Sequence, residues 1–267
     1  MTDDQDYAAE LDFALDLLAE TAGLALGRAR GLRPIEKANK SYVTELDRDL
    51  ERLIRSRVAE AFPGDRITGE EYAAEGAEGP RRWSIDPIDG TGNIVHGLPL
   101  WAISIGLVVA GVPTLGAIVV PPLGETYWAV KGRGAWRDGE RLQVADADGF
   151  HKQDNVCLGT NAMRAIDPRS VPGRLRDLGS ACCEQVFLAA GRLKACVFLG
   201  EQAHDVAAGS VIASEAGCAF GTPRDGRITP ADFVARTPVP VPTFLASPRR
   251  LDALLKMARE YPGPKLP

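Results

Sequence analysis

The chain has 267 residues, 45% of them apolar and 25% charged, and a formal net charge of −5. That profile suits a soluble globular protein with room for a sizeable core; it offers no general attraction for nucleic acid or anionic lipid, and no apolar run approaches the roughly 18–20 residues that span a bilayer. The acidic opening Met1-Thr-Asp-Asp-Gln-Asp6 lacks the layout of a secretory leader, and Cys157, Cys182, Cys183, Cys196 and Cys218, odd in number with no Cys-x-x-Cys pair, read as reduced thiols, so a cytoplasmic protein is expected.

Residues 4–29 carry Leu11, Ala14, Leu15, Leu18, Ala22, Ala25 and Leu26 at helical spacing, which predicts a long amphipathic helix ending near Gly31, with Pro34 blocking its continuation. A polar, lysine-bearing loop follows from Arg33 to Ser41. A second helix is predicted from Thr44, with Leu46, Leu50, Leu53, Ile54 and Val58 on one face and a stop at Pro63-Gly64. Short strands come next, at 67–68 and 83–85. A hairpin from 102–109 and 115–120 turns at Gly111-Val-Pro113, a strand at 125–130 follows, and Asp138-Gly139 marks a further tight turn. Residues 81–145 thus read as a mostly antiparallel sheet. Beyond about 150 strands and helices alternate: strands at 155–159, 195–199 and 243–246, helices at 180–191 and 206–216, and a last helix from Pro248.

Two carboxylates three residues apart, in Trp83-Ser-Ile-Asp86-Pro-Ile-Asp89-Gly-Thr91, stand out along this path. A strand ending there delivers both acids to its carboxyl end, Pro87 stiffens the turn, and Gly90 lets backbone approach a ligand. Hard oxygen ligands beside free N–H groups suit a magnesium ion holding a phosphate, while an acidic surface turn uses the same residue types. Glu70-Glu71, His204-Asp205 and Asp47 are further candidates. Each has a plain structural reading as well: Asp205 as a helix cap, Thr44-x-x-Asp47 as a capping box, Glu70-Glu71 as solvated charge.

Gly69-Glu70-Glu71, the block from Trp83 through Gly97, Asp205-Val-Ala-Ala-Gly209, Ser214-Glu-Ala-Gly217, Val43-Thr44-Glu-Leu-Asp47 and Gly132-Arg-Gly-Ala-Trp136, in that family's order, resemble the inositol monophosphatase family of magnesium-dependent, lithium-sensitive phosphatases. The resemblance implies an α/β fold layered as an alternating α-β-α-β-α sandwich, with an N-terminal half (1–147) carrying most ligands and a C-terminal half (148–267) carrying Asp205 and the substrate-facing residues. It implies two or three Mg2+ ions on Glu70, Asp86, the Ile88 carbonyl, Asp89 and Asp205, with Asp47 acting through water or a third metal. Gly90 and Thr91 would bind phosphate, and Glu70, Thr91 and Asp47 would serve catalysis by activating water. The expected partner is a small phosphorylated metabolite, with neither nucleic acid nor membrane, and the family implies a homodimer. A silent homologue that binds metal or a partner protein is the alternative from another class; five filled carboxylate positions argue against it.

The chain leaves the family pattern at its substrate side. Counting back from Asp205 puts Phe198 where inositol-specific members carry a glutamate, with Glu201 and Gln202 displaced from it; His204 stands where tryptophan is usual, and the usual loop lysine falls at Glu36, beside Lys37 and Lys40. Phe198, His204, Ser180 and Lys37 are therefore the candidate substrate contacts. Gly92-Asn93-Ile94 argues against an adenosine-bisphosphate phosphatase. Val120-Pro121-Pro122 and Pro99-Leu-Trp101-Ala are similar to histidinol-phosphate phosphatases of this fold, and fructose-bisphosphate hydrolysis also stays open.

Overall fold

The computed structural model describes residues 6–37 and 42–260; Lys40, in the loop expected from Arg33 to Ser41, lies outside them. Helix α1 (Ala8–Arg28) buries Ala14, Leu17, Leu18, Thr21 and Ala25. The buried stripe is rotated from the expected one: Thr21 takes part by donating to the Leu17 carbonyl at 2.8 Å, and Leu26 is 50% exposed. Strand β1 (Ile35–Glu36), inside what reads as a loop, and β2 (Tyr42–Val43), just beyond it, form a small antiparallel ladder. Helix α2 (Glu45–Ala61) starts at the Thr44 cap with its capping box formed. It buries two adjacent rows, the apolar Leu46, Leu50, Ile54 and Val58 and the charged Asp47, Glu51 and Arg55, each at a spacing of four.

Seven strands follow in sequence order: β3 (Arg66–Gly69), β4 (Arg81–Asp89), β5 (Ala102–Val109), β6 (Val112–Val120), β7 (Glu125–Val130), β8 (Ala135–Arg137) and β9 (Glu140–Leu142). Only β3 and β4 pair in parallel. The hairpin turn between β5 and β6 is Ala110-Gly111 rather than Gly111–Pro113. Both turn residues have positive φ (49° and 79°), as a two-residue turn matched to strand twist requires. Pro113 sits inside β6 opposite Val108, where the ladder shifts register and no N–H is needed. Helix α3 (Thr91–Val95) bridges β4 and β5.

The second sheet has strand order β11-β10-β12-β15-β13-β14. It is built from β10 (Asn155–Leu158), β11 (Arg174–Arg176), β12 (Ala195–Phe198), β13 (Ala219–Thr222), β14 (Gly226–Ile228) and β15 (Thr243–Ala246). Its helices are α4 (Thr160–Ala165), α5 (Ala181–Ala189), α6 (Ala203–Glu215), α7 (Pro230–Ala235) and α8 (Pro248–Glu260). Strands β11, β13 and β14 and helices α4 and α7 escaped the sequence reading, because three to six residues cannot display a period.

Three apolar cores stack these elements into layers. One joins α1 and α2 to the first sheet, a second seats α5, α6 and α7 between the two sheets, and the third packs α4 and α8 on the far face of the second sheet. The result is α-β-α-β-α, as expected. The middle layer makes unusually close contact with the first sheet. Gly106 and Gly116 are cross-strand partners, and a Cβ at Gly116 would lie 2.2 Å from the Ala208 carbonyl oxygen of α6. All five cysteines are buried free thiols, and burial raises each thiol's pKa above its ordinary value. No helix among the described residues is long and apolar enough to cross a membrane.

Candidate active site

Strand β4 does not stop at Ile85. It continues to Asp89, and its ladder with β5 shifts register between Asp86 and Asp89, so the two acids, paired with Ser104 and Ala102, flank an irregularity made by Pro87 and Ile88. Asp86 Oδ1 accepts from the Ile88 N–H at 3.1 Å. Asp89 Oδ2 accepts from Ser180 Oγ and the Cys182 N–H, both at 2.6 Å. Gly90, at φ 94°, turns the chain into α3, and a Cβ there would come within 2.9 Å of the Leu100 carbonyl oxygen. Thr91 Oγ1 then lies 2.9 Å from Asp47 Oδ1 and 3.1 Å from the Ile88 carbonyl oxygen. Asp47 also caps its helix, since its Oδ2 accepts from the Thr44 N–H at 2.9 Å as a capping box does.

Asp205 arrives from the opposite side. Helix α6 begins at Ala203, earlier than the expected Val206, so His204 and Asp205 lie in its first turn and Asp205 Oδ2 accepts from the Gln202 N–H at 2.6 Å. Glu70 comes from the turn after β3. These residues meet in a cleft of about 280 Å3 whose walls include Tyr42, Glu70, Asp86, Ile88, Asp89, Gly90, Thr91 and Asp205. Ligand atoms of Glu70, Asp86 and His204 lie within 4.8 Å of one another, and so do those of Asp86, Asp89 and Asp205, with Asp86 common to both groups.

Burial is the first cause of a raised carboxyl pKa at Asp47, Glu70, Asp86, Asp89 and Asp205, and neighbouring carboxylates push Asp86 and Asp89 further in the same direction. Oxygen donors crowded this closely fit a divalent cation, whose charge would remove the repulsion. Lys37 partly offsets that charge, with Nζ 2.8 Å from Glu70 Oε1 and 2.5 Å from Glu71 Oε1. It pairs with a candidate metal ligand rather than reaching over a phosphate position.

Two other expected substrate contacts are corrected. Phe198 is 0% exposed and packs 6.0 Å from the Phe233 ring in the middle core, so no face of it is open to a ligand. Ser180 is 2% exposed; its hydroxyl donates to Asp89 and accepts from the Cys183 N–H at 3.2 Å, which makes it a helix cap and a brace for an acid of the cleft.

Three carboxylates matter more than the sequence reading allowed. Glu51 is fully buried and accepts from the Glu71 N–H (2.7 Å), the Tyr72 N–H (3.2 Å) and Arg55 Nε (2.8 Å), which ties the Glu70 turn to the helix bearing Asp47. Its sequence signal was the i, i+4 spacing from Asp47. Glu201, just beyond β12, has a buried Oε2 with no hydrogen-bond partner among the described residues; burial first, then Asp205 and Asp89, push its pKa to about 7. Glu184 faces the core between Cys157 and the Leu178 N–H, and burial pushes its pKa up to about 8.

Glu184 carries a pH prediction. Its carboxyl holds a proton in the folded state up to about pH 8 but loses it near its ordinary 4.5 when unfolded. The native state therefore binds more protons in that window, and stability must fall as pH rises through it. Urea midpoints of the metal-free protein are expected to drop between pH 6 and 8.5, and Glu184→Gln to flatten that drop. Equal slopes for parent and variant would refute the assignment.

Comparison with known proteins agrees with this geometry. Residues 8–260 match the model of the inositol monophosphatase family. The chain is 35% identical over 218 residues to a fructose-1,6-bisphosphatase/inositol-1-monophosphatase of Thermotoga maritima, covering 78% of this chain and 82% of that protein. It is 36% identical over 224 residues to a histidinol-phosphatase of Chlorobaculum parvum, covering 79% and 85%. Among solved structures, the Thermotoga maritima IMPase superposes with a TM-score of 0.83 at 29% identity, covering 94% of this chain and 97% of that one. The chain belongs to the inositol monophosphatase family and is a phosphatase of that family, a phosphoric monoester hydrolase.

Proposed function

We propose that the protein is a magnesium-dependent phosphomonoesterase that hydrolyses a small polyol- or sugar-like phosphate by direct attack of water. The observation that carries this reading is the pair of ligand groups sharing Asp86, set in one cleft with Gly90 and Thr91. Asp86, Asp89 and Asp205, with the Ile88 carbonyl, would hold one ion, and Glu70 with Asp86 another. When bound, such ions acidify a water and stabilise the leaving oxygen.

The chain's own residues do the rest. The N–H groups of Gly90 and Thr91 hold the phosphoryl oxygens and orient phosphorus towards Glu70. Thr91 Oγ1, by donating to Asp47, keeps a lone pair for a hydrogen bond from the attacking water, and Glu70 takes up that water's proton. Ser180 and the Cys182 N–H fix the rotamer of Asp89. No cysteine is needed as nucleophile, and the raised thiol pKa values fit that reading.

Glu201 takes the part first given to Phe198. It follows β12, beside Gly159 at the end of the parallel strand β10, and carboxyl ends of parallel strands are where such sheets bind ligands. A substrate hydroxyl or ammonium group that reaches this buried oxygen would supply the partner it lacks. Turnover of inositol 1-phosphate, histidinol phosphate and fructose 1,6-bisphosphate, each with and without Mg2+, tests the whole reading, and no Mg2+-dependent turnover of any of them sinks it. On the preferred substrate, Glu201→Ala is expected to raise KM about tenfold, the scale of one hydrogen bond to a charged group. An unchanged KM removes Glu201 from the substrate site.

A further inference from the structure

The two ligand groups differ in chemistry. Asp86, Asp89 and Asp205 offer oxygen alone, whereas Glu70, Asp86 and His204 offer two carboxylates and an imidazole within 4.8 Å of one another. His204 enters from the first turn of α6, adjacent to Asp205, with its side chain only 17% exposed. Its Nε2 stands 3.5 Å from Asp205 Oδ1, and no hydrogen bond holds the ring among the described residues. A half-enclosed imidazole that is hydrogen-bonded to neither Glu70 nor Asp86 can turn a nitrogen to an ion shared with both.

We propose that His204 is a metal ligand, so that Glu70, Asp86 and His204 form a nitrogen-and-oxygen site for a divalent transition ion beside the all-oxygen site at Asp86, Asp89 and Asp205. Imidazole favours transition ions, whereas magnesium takes oxygen donors and keeps its waters. The proposal rests on the two-group reading of the cleft and adds that its halves have different metal preferences. Lys37, on one oxygen of Glu70, leaves the other free for the ion.

The probe is Mn2+ on the full chain without substrate. Electron spin echo spectra of the Mn2+-loaded protein are expected to show 14N modulation from a coordinated ring. His204→Gln should remove it. His96→Gln should keep it, because His96 is exposed and stands 6.3 Å from the ring of Tyr42, another wall of the cleft. By calorimetry, His204→Gln should weaken Mn2+ binding about tenfold or more while Mg2+ affinity moves less than about threefold, since even outer partners of metal ligands act on the tenfold scale. His204→Phe keeps the volume and should repeat the result, with thermal melts confirming that both variants fold.

Absent 14N modulation in the parent, its survival in His204→Gln, or equal losses of Mn2+ and Mg2+ affinity would overturn the assignment. If Mn2+ binds and is released by Asp86→Asn but shows no nitrogen, only the role of His204 fails. If Mn2+ does not bind at all, the two-group reading fails with it.

Discussion

Asp89→Asn is expected to lower kcat by at least about a thousandfold, the upper range for losing one electrostatic stabiliser of a reaction, while the protein stays folded. The asparagine carbonyl can still accept from Ser180 Oγ and the Cys182 N–H, so the bracing of this residue survives. What changes is the other side-chain atom, which becomes an N–H2 donor facing the position of a cation. The same change removes a half-buried carboxylate that desolvation and Asp205 both push towards its neutral form. Without metal the variant should therefore melt at a higher temperature than the parent, and with Mg2+ the order should reverse. Turnover and melts with and without a chelator check both halves, and activity within tenfold of the parent would refute the site.

Trp83→Ala should cost about 3–5 kcal/mol of stability, the usual range for deleting a large buried aromatic side chain. Trp83 is fully buried on β4, with Phe13 and Phe62 at centroid distances of 5.8 and 5.1 Å, so it joins α1, the end of α2 and the first sheet. Its Nε1 donates to Asp65 Oδ2 at 2.8 Å, and Asp65 also accepts from Arg81 Nε at 2.9 Å. The substitution opens a cavity and takes a donor from a buried acid. A fall in melting temperature on the order of 10 °C follows for a chain of this size. Trp83→Phe should lose less, and a loss below about 1 kcal/mol for the alanine variant would show that the neighbours collapse into the space.

Asp89's place at the end of a strand could be read from the sequence because its signals are local, whereas the contacts of Trp83 with Phe13, Phe62 and Asp65 could not. Strand, Pro87 and Gly90 stand beside the acids they present, and α2 declares itself through leucines at a spacing of four. Other contacts became visible only in three dimensions. Ser180 meets Asp89 across 91 positions and Lys37 meets Glu70 across 33, distances over which no local pattern speaks. Phe198 went wrong for a different reason. Counting back from Asp205 assumed that β12 turns that side chain to the cleft, but alternate residues of a strand face opposite ways and Phe198 faces the middle core.

Gly106 and Gly116 admit α6 against the first sheet with main chain on main chain. The joint has no side chain that could settle into another rotamer, so the spacing between Asp205 and the pair Asp86 and Asp89 is machined rather than adjustable. A methyl group at Gly116 would have to push the helix outward, and about an ångström of displacement near reacting groups costs on the order of a hundredfold in rate. Natural or engineered variation can thus redecorate the substrate side freely, while the gauge between the two halves of the cleft tolerates almost none.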